Sequence, residues 1–169
     1  MKTKQLVLGI LITAAAVGQL LAAWLLYDPA GPAWRINLGW GVMMISALFG
    51  WLPIFTFRKK GEISGRSYVT TTELVDTGIY SIVRHPQYTA GALLSIALPL
   101  ITWHWLVLAS GMVSVTIYFL NTFQEEKINL EKFGSAYQHY QREVPRMNIL
   151  LGIYLWTKRS FRDKKQTTE

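Results

Sequence analysis

The chain contains no cysteine and few charged residues, and these two scarcities exclude several classes of protein. With no Cys among 169 residues, disulfides, thiolate nucleophiles, zinc–thiolate sites and iron–sulfur clusters are excluded. Charged residues make up only 16% and apolar residues 51%, whereas an average soluble domain is about 25% charged. This composition argues against a soluble globule and, more strongly, against a disordered chain. The three His are scattered, which gives little support to a metal site.

Long apolar runs predict an all-α, polytopic membrane protein. Two of them exceed the roughly 20 residues that a helix needs to cross the hydrocarbon core. A third run is too long for one span, and we divide it just after Pro99, which gives a tight antiparallel hairpin. The four predicted transmembrane helices are residues 6–26, 36–57, 86–101 and 103–123.

The basic residues lie almost entirely on one side of these spans. There are 17 Lys and Arg against 10 Asp and Glu, a formal net charge of +7. With four spans, every basic residue except Arg35 falls on the side of the two termini and of the loop 58–87. The positive-inside rule makes that side cytoplasmic. We therefore interpret the charge surplus as membrane topology rather than as a nucleic-acid surface.

The C-terminal part is expected to be a cytoplasmic helical tail. Residues 125–146 combine charges with apolar or aromatic side chains at helical spacing, so we expect the fourth helix to continue and then to bend near Gly134. Residues 149–156 are apolar but too few to cross a membrane, and we place them along the interface. The predicted organisation is one domain over residues 1–157 and a basic, frayed tail over 158–169 near anionic lipid.

Two polar motifs end the third and fourth predicted helices on the cytoplasmic side, so topology makes them face each other. One contains Arg84 and His85 just before Pro86, and the other contains Glu125 and Glu126. Proline suits the first turn of a helix, whose free N–H groups favour a carboxylate or phosphate. The two glutamates would attract an ammonium or ribose hydroxyls. Together they predict a recessed notch for a zwitterionic ligand, although each side chain alone also fits an interfacial role.

Further motifs precede and follow these two in a definite order. The full set is Leu74-Val75, Gly78-x-Tyr80, Arg84-His85-Pro86-x-Tyr88, Glu125-Glu126, Phe133-Gly134-x-x-Tyr137-x-x-Tyr140 and Val144-Pro145-Arg146. It resembles the isoprenylcysteine carboxyl methyltransferase family, which belongs to a wider group of integral-membrane methyltransferases that includes phospholipid methyltransferases. The resemblance covers about residues 70–147, and the first two spans carry no signature.

The resemblance implies S-adenosylmethionine as cofactor, bound on the cytoplasmic side, and a lipophilic or lipidated acceptor that enters from the bilayer. We expect no metal site. By motif position, the cofactor contacts would be Gly78, Tyr80, His85, Tyr88, Glu125, Glu126 and Tyr137.

One position departs from the family pattern. In the carboxyl methyltransferases we expect an Arg one helical turn before the glutamate pair, and this chain has Asn121 there. A neutral amide cannot offer a carboxylate the fork that Arg would. Asn121 and Arg84 are the candidate catalytic residues. Arg84 and Arg146 are the candidates to replace the family arginine. The acceptor stays open between a prenylcysteine-like carboxylate and a lipid hydroxyl, thiol or amine.

Two other classes of function remain open. The Arg-His-Pro-x-Tyr motif is shared with membrane sterol reductases, so an NADPH-dependent reductase is one alternative. A non-enzymatic membrane adaptor that uses its basic tail on anionic lipid is the other. The sequence does not indicate the oligomeric state.

Overall fold

The computed structural model describes residues 2–28, 32–60 and 74–166, and within these ranges the protein is all-helical, with no strand. A short 3-10 helix, Gly78–Ser81, precedes the third α-helix. The described residues form six α-helices, which are α1 Lys2–Leu25, α2 Ala33–Lys60, α3 Pro86–Thr102, α4 Trp105–Phe133, α5 Ser135–Glu143 and α6 Ile149–Gln166. The all-α prediction is therefore confirmed. Parts of the predicted loops, residues 29–31 and 61–73, lie outside the described residues.

The chain forms two compact units, and α2 and α4 each contribute to both. The first unit comprises Met1–Leu48 and Tyr88–Asn121, and the second comprises Phe49–Gln87 and Thr122–Glu169. We call them the apolar unit and the ionic unit, after the side chains that dominate each.

In the long apolar run, the third helix ends one residue later and the fourth begins two residues later than we predicted. Helix α3 begins at Pro86 as expected but continues to Thr102. Trp103 adopts a left-handed conformation with φ 54°, and its N–H bonds the Pro99 carbonyl at 2.9 Å. The His104 ring nitrogen Nδ1 then accepts the backbone N–H of Leu106 at 3.2 Å, so this imidazole supports the start of α4.

The end of the chain is more helical than the sequence indicated. The continuation of α4 and the bend at Gly134 are confirmed, because α4 runs to Phe133 and Gly134 has φ 56°. The frayed tail is wrong as far as Gln166, where α6 ends after 18 residues. One local cap and one tertiary contact support this longer helix. Asn148 accepts the Leu151 N–H at 3.0 Å near its start, and Arg159 donates to the Ser81 carbonyl at 2.7 Å. The last predicted tail residues, 167–169, lie outside the described residues.

In the apolar unit, buried polar side chains satisfy backbone carbonyls that the helices cannot. Pro99 has no N–H to bond the Ser95 carbonyl four residues earlier, and the Gln19 side chain donates to that carbonyl at 3.0 Å. The buried Arg35 guanidinium donates to the Ile101 carbonyl, in the last turn of α3, at 2.6 Å. Both contacts supply donors that water would otherwise provide.

Many large apolar side chains are exposed instead of forming a core. Trp24 is 77% exposed and Met44 is 65% exposed, whereas one buried cluster of this unit is the small set Ala23, Leu98 and Val107. By length and composition, two described helical segments are apolar enough to cross a membrane, Ala33–Thr56 and Trp105–Phe133. A chain with this inverted pattern is suited to an apolar solvent.

Candidate functional site

Glu126 lies at the centre of an ion cluster in the ionic unit. Its Oε1 accepts from Arg84 Nε at 3.0 Å and Nη2 at 2.7 Å. Arg146 forms a fork with the same carboxylate, with Nε at 3.1 Å from Oε1 and Nη2 at 2.5 Å from Oε2. Gln141 Nε2 donates to Oε2 at 3.3 Å. The Glu126 side chain is only 7% exposed, so these partners take the place of water around a buried carboxylate.

Backbone contacts fix the segment that carries Arg84. The Arg84 N–H donates to the Pro145 carbonyl at 3.0 Å, and the His85 N–H donates to the Arg146 carbonyl at 3.2 Å. These two bonds align the segment before α3 with the segment after α5. Both guanidinium groups therefore approach Glu126 from two chain segments that are hydrogen-bonded to each other.

The remaining donor of Arg84 is engaged as well. Its Nη1 donates to the carbonyls of Gln141 at 2.7 Å and Val144 at 2.5 Å. These carbonyls belong to the C-terminal end of α5, where a helix has unpaired acceptors and a partial negative charge. Arg84 thus caps the C-terminal end of α5 and binds Glu126 at the same time.

His85 lies between the two neighbouring glutamates. Its Nε2 is 3.2 Å from Glu126 Oε1, and its Nδ1 is 3.7 Å from Glu125 Oε1. His85 is buried, with a side chain 2% exposed, whereas the Glu125 side chain is 46% exposed. The glutamates are therefore not equivalent, because one carboxylate binds protein cations internally and the other is open to solvent or to a ligand.

Tyr137 and Tyr140 form a buried aromatic cluster with Val144 beside these charges. Their rings meet edge to face with centroids 5.8 Å apart, and the Tyr140 hydroxyl donates to the Tyr80 carbonyl at 2.7 Å. Burial raises the pKa of both phenols, so both are neutral at physiological pH. Tyr137, which the resemblance assigns to the cofactor, packs here in the core and is 2% exposed.

Gly78 opens the 3-10 helix in a conformation that side chains rarely adopt. Its φ is +62°, and an added Cβ would lie 2.9 Å from the Thr56 hydroxyl oxygen. Glycine here permits both the left-handed turn and the close approach to α2. This fixes the entry into the segment that leads to Arg84.

The other two predicted site residues belong to the apolar unit. The Asn121 side chain donates to the Ile117 carbonyl of its own helix at 2.9 Å. Tyr88 lies near Tyr118, with ring centroids 6.4 Å apart. Tyr118 fits against α3 because Gly91 has no side chain, and an added Cβ there would lie 2.7 Å from the Tyr118 ring.

The structure brings together four predicted residues, namely Arg84, His85, Glu125 and Glu126. Sequence reasoning missed Gln141 and understated Arg146, whose guanidinium also lies 3.7 Å from the Phe123 ring centroid. The Val144-Pro145-Arg146 motif carried the signal for Arg146. Only the fold showed that this motif lies next to Arg84.

The profile of the phospholipid methyltransferase family matches residues 34–136. The chain belongs to this family. The match includes both polar motifs of the ion cluster, whereas Gln141 and Arg146 follow its end. The membership confirms the wider group of membrane methyltransferases that the motifs resemble, and it does not favour the reductase.

Several curated relatives are similar to this phospholipid methyltransferase family protein over most of its length. Methanethiol S-methyltransferase 2 of Bradyrhizobium diazoefficiens is 34% identical over 153 residues, which is 86% of this chain and 52% of the relative. Methanethiol S-methyltransferase of Crocosphaera subtropica is 30% identical over 123 residues, 68% of this chain and 45% of the relative. The chain thus spans about half the length of these relatives. No solved structure matches.

Proposed function

We propose that this protein is an integral-membrane methyltransferase that transfers a methyl group from S-adenosylmethionine to a small lipophilic thiol. Family membership and relatives named as methanethiol S-methyltransferases support methyl transfer to sulfur. The observation that carries the proposal to these residues is the unequal glutamate pair around His85.

The donor set suits a zwitterionic cofactor with an ammonium, a carboxylate and ribose hydroxyls. Glu125 is the half-exposed carboxylate of the cluster, with the buried His85 Nδ1 3.7 Å away, and it would hold the ammonium or the hydroxyls. Glu126 has a positioning role, because it binds Arg84 and Arg146. When bound, the cofactor supplies a methyl group that its sulfonium has already activated.

The acceptor chemistry follows from what Arg84 does. Its three guanidinium nitrogens donate to Glu126, Gln141 and Val144, so it is committed to protein partners. Arg84 is therefore not available to hold an acceptor carboxylate in place of the family arginine, whose position is occupied by Asn121 in this chain. A thiol needs no such fork. The sulfur attacks as its thiolate, and its proton leaves to water or to a base as the new S–CH3 bond forms and the cofactor sulfonium becomes a thioether.

We further propose that α1 to α4 are four transmembrane helices with the cluster and both termini on the cytoplasmic side. The exposed apolar side chains of α1, α2 and α4 and the distribution of basic residues support this topology. An antiparallel α3–α4 hairpin is supported by two contacts. Tyr88 lies near Tyr118, and an added Cβ at Gly111 would lie 2.5 Å from the Ser95 carbonyl.

A labelled-methyl assay on the full chain in lipid nanodiscs tests this function. We expect label from S-adenosylmethionine in the thioether products of short alkanethiols, and none in the ester of a prenylcysteine analogue. Label in the ester would refute the assignment of a thiol acceptor. Consumption of NADPH without methyl transfer would refute the methyltransferase.

A further inference from the structure

A basic groove between α5 and α6 lies apart from the ion cluster in the ionic unit. Its volume is about 500 Å³. It is lined by the basic residues Arg142, Lys158, Arg159 and Arg162, the apolar Leu155 and Phe161, and the acidic Glu143. The lining thus contains four cations and one carboxylate. Arg159 lies 3.7 Å from that carboxylate, which leaves the groove with a cationic surplus.

Helix α6 also carries exposed apolar side chains, both before its basic residues and among them. Leu150 is 82% exposed, and Tyr154 and Phe161 are 63% and 67% exposed. An amphipathic helix with apolar residues on one side and Lys and Arg nearby lies in the interface of a bilayer, where its cations meet phosphate headgroups. Helix α6 therefore presents apolar side chains that suit the acyl region of a phospholipid and cations that suit its anionic headgroup.

We propose that the groove between α5 and α6 binds the headgroup phosphate of an anionic phospholipid. Arg142 and Lys158 contact the phosphate from the two helices, and Leu155 and Phe161 contact the acyl chains. This proposal rests on the membrane placement proposed above. It does not depend on the methyl acceptor, because the groove shares no residue with the ion cluster.

The position of α6 gives lipid binding a consequence for the ion cluster. An added Cβ at Gly152 would lie 2.1 Å from the Ile82 carbonyl, so α6 rests directly on the segment that leads to Arg84. Arg159 also donates to the Ser81 carbonyl at 2.7 Å and to the Glu143 carbonyl. Lipid in the groove would hold α6 on this segment and stabilise the ionic unit.

Lipid retention by the full chain in detergent, read by native mass spectrometry, tests the proposal. Phosphatidylglycerol and phosphatidylcholine with identical acyl chains are titrated separately. We expect tighter retention of phosphatidylglycerol, and each Lys→Gln or Arg→Gln change in the groove should weaken it about fivefold, since one basic residue near an anionic lipid contributes about that factor. The variants are Lys158→Gln and Arg142→Gln, from the two walls.

Lys132→Gln is the matched control, because Lys132 is exposed on α4 and does not line the groove. It should retain phosphatidylglycerol like the unchanged protein. Equal retention of the two lipids would overturn the proposal, and so would equal loss in the control and groove variants. Binding of inorganic phosphate that phosphatidylglycerol does not compete with would show an aqueous anion site and would also overturn it. Thiol methylation is measured in parallel, and its failure with intact lipid selectivity would refute only the proposed function.

Discussion

The apolar unit and the ionic unit bury polar side chains for different purposes. In the apolar unit, Gln19 and Arg35 donate to backbone carbonyls at a proline and at a helix end. In the ionic unit, Arg84 and Arg146 donate to the Glu126 carboxylate, and each of the three depends on the others. A repair of one carbonyl is local, whereas a buried ion cluster fails as a whole when one charge is removed. The comparison therefore predicts unequal costs of substitution.

The largest effect should follow from removing the central charge of the ion cluster. Glu126→Gln leaves two guanidinium groups facing each other in a buried site, and we expect a loss of about 3 to 5 kcal/mol in the free energy of unfolding. Denaturant unfolding in detergent measures it. The matched control is Glu125→Gln, which should cost less than about 1 kcal/mol because Glu125 is half-exposed. Equal losses would contradict the unequal roles of the two glutamates.

A smaller loss is expected where α6 meets the Ile82 segment. Gly152→Ala places a Cβ 2.1 Å from a backbone carbonyl that cannot rotate away, and we expect it to cost about 1 to 3 kcal/mol. Gly41→Ala on α2 is the control, since an added Cβ there has nothing within 4 Å. Thermal unfolding should show a lower Tm for the first variant only. A neutral Gly152→Ala would mean that α6 does not pack on this segment.

The smallest of the three is expected in the apolar unit. Gln19→Leu removes the donor to the Ser95 carbonyl and should cost about 1 kcal/mol, as interhelical hydrogen bonds in membranes do. Pro99→Ala supplies a backbone N–H for the same carbonyl. In that background, Gln19→Leu should cost less, and a double-mutant cycle measures the difference. Additive effects would show that Gln19 does not compensate for Pro99.

Local signals predicted most of the helical organisation. Pro86 marked the start of α3, and Gly134 marked the break between α4 and α5, because each residue has a restricted or unusual backbone. The end of α6 was missed for the opposite reason. Its last turns are polar and carry no apolar period, and they depend on Arg159 contacting Ser81, a residue distant in sequence.

The candidate site was predicted in its pairing and missed in its hierarchy. Topology brought Arg84 and His85 to the glutamate pair, and the structure places them in contact. The sequence could not show that Glu126 is buried and Glu125 half-exposed, because adjacent residues on a helix differ only in the direction in which their side chains point. Nor could it show that Tyr137 packs in a core or that Gln19 compensates for Pro99, because both depend on contacts across many residues.

We propose that Glu125 faces the cofactor while Glu126 binds the arginines that hold the site together. Calorimetric titration of S-adenosylmethionine into the unchanged protein and into Glu125→Gln measures this role, with Glu131→Gln, at an exposed glutamate of α4, as control. We expect Glu125→Gln to weaken binding at least about tenfold, since a hydrogen bond to a charged group is worth about 1.5 to 3 kcal/mol. Its free energy of unfolding should fall by less than about 1 kcal/mol, and the control should bind like the unchanged protein. Unchanged affinity in Glu125→Gln would contradict the claim.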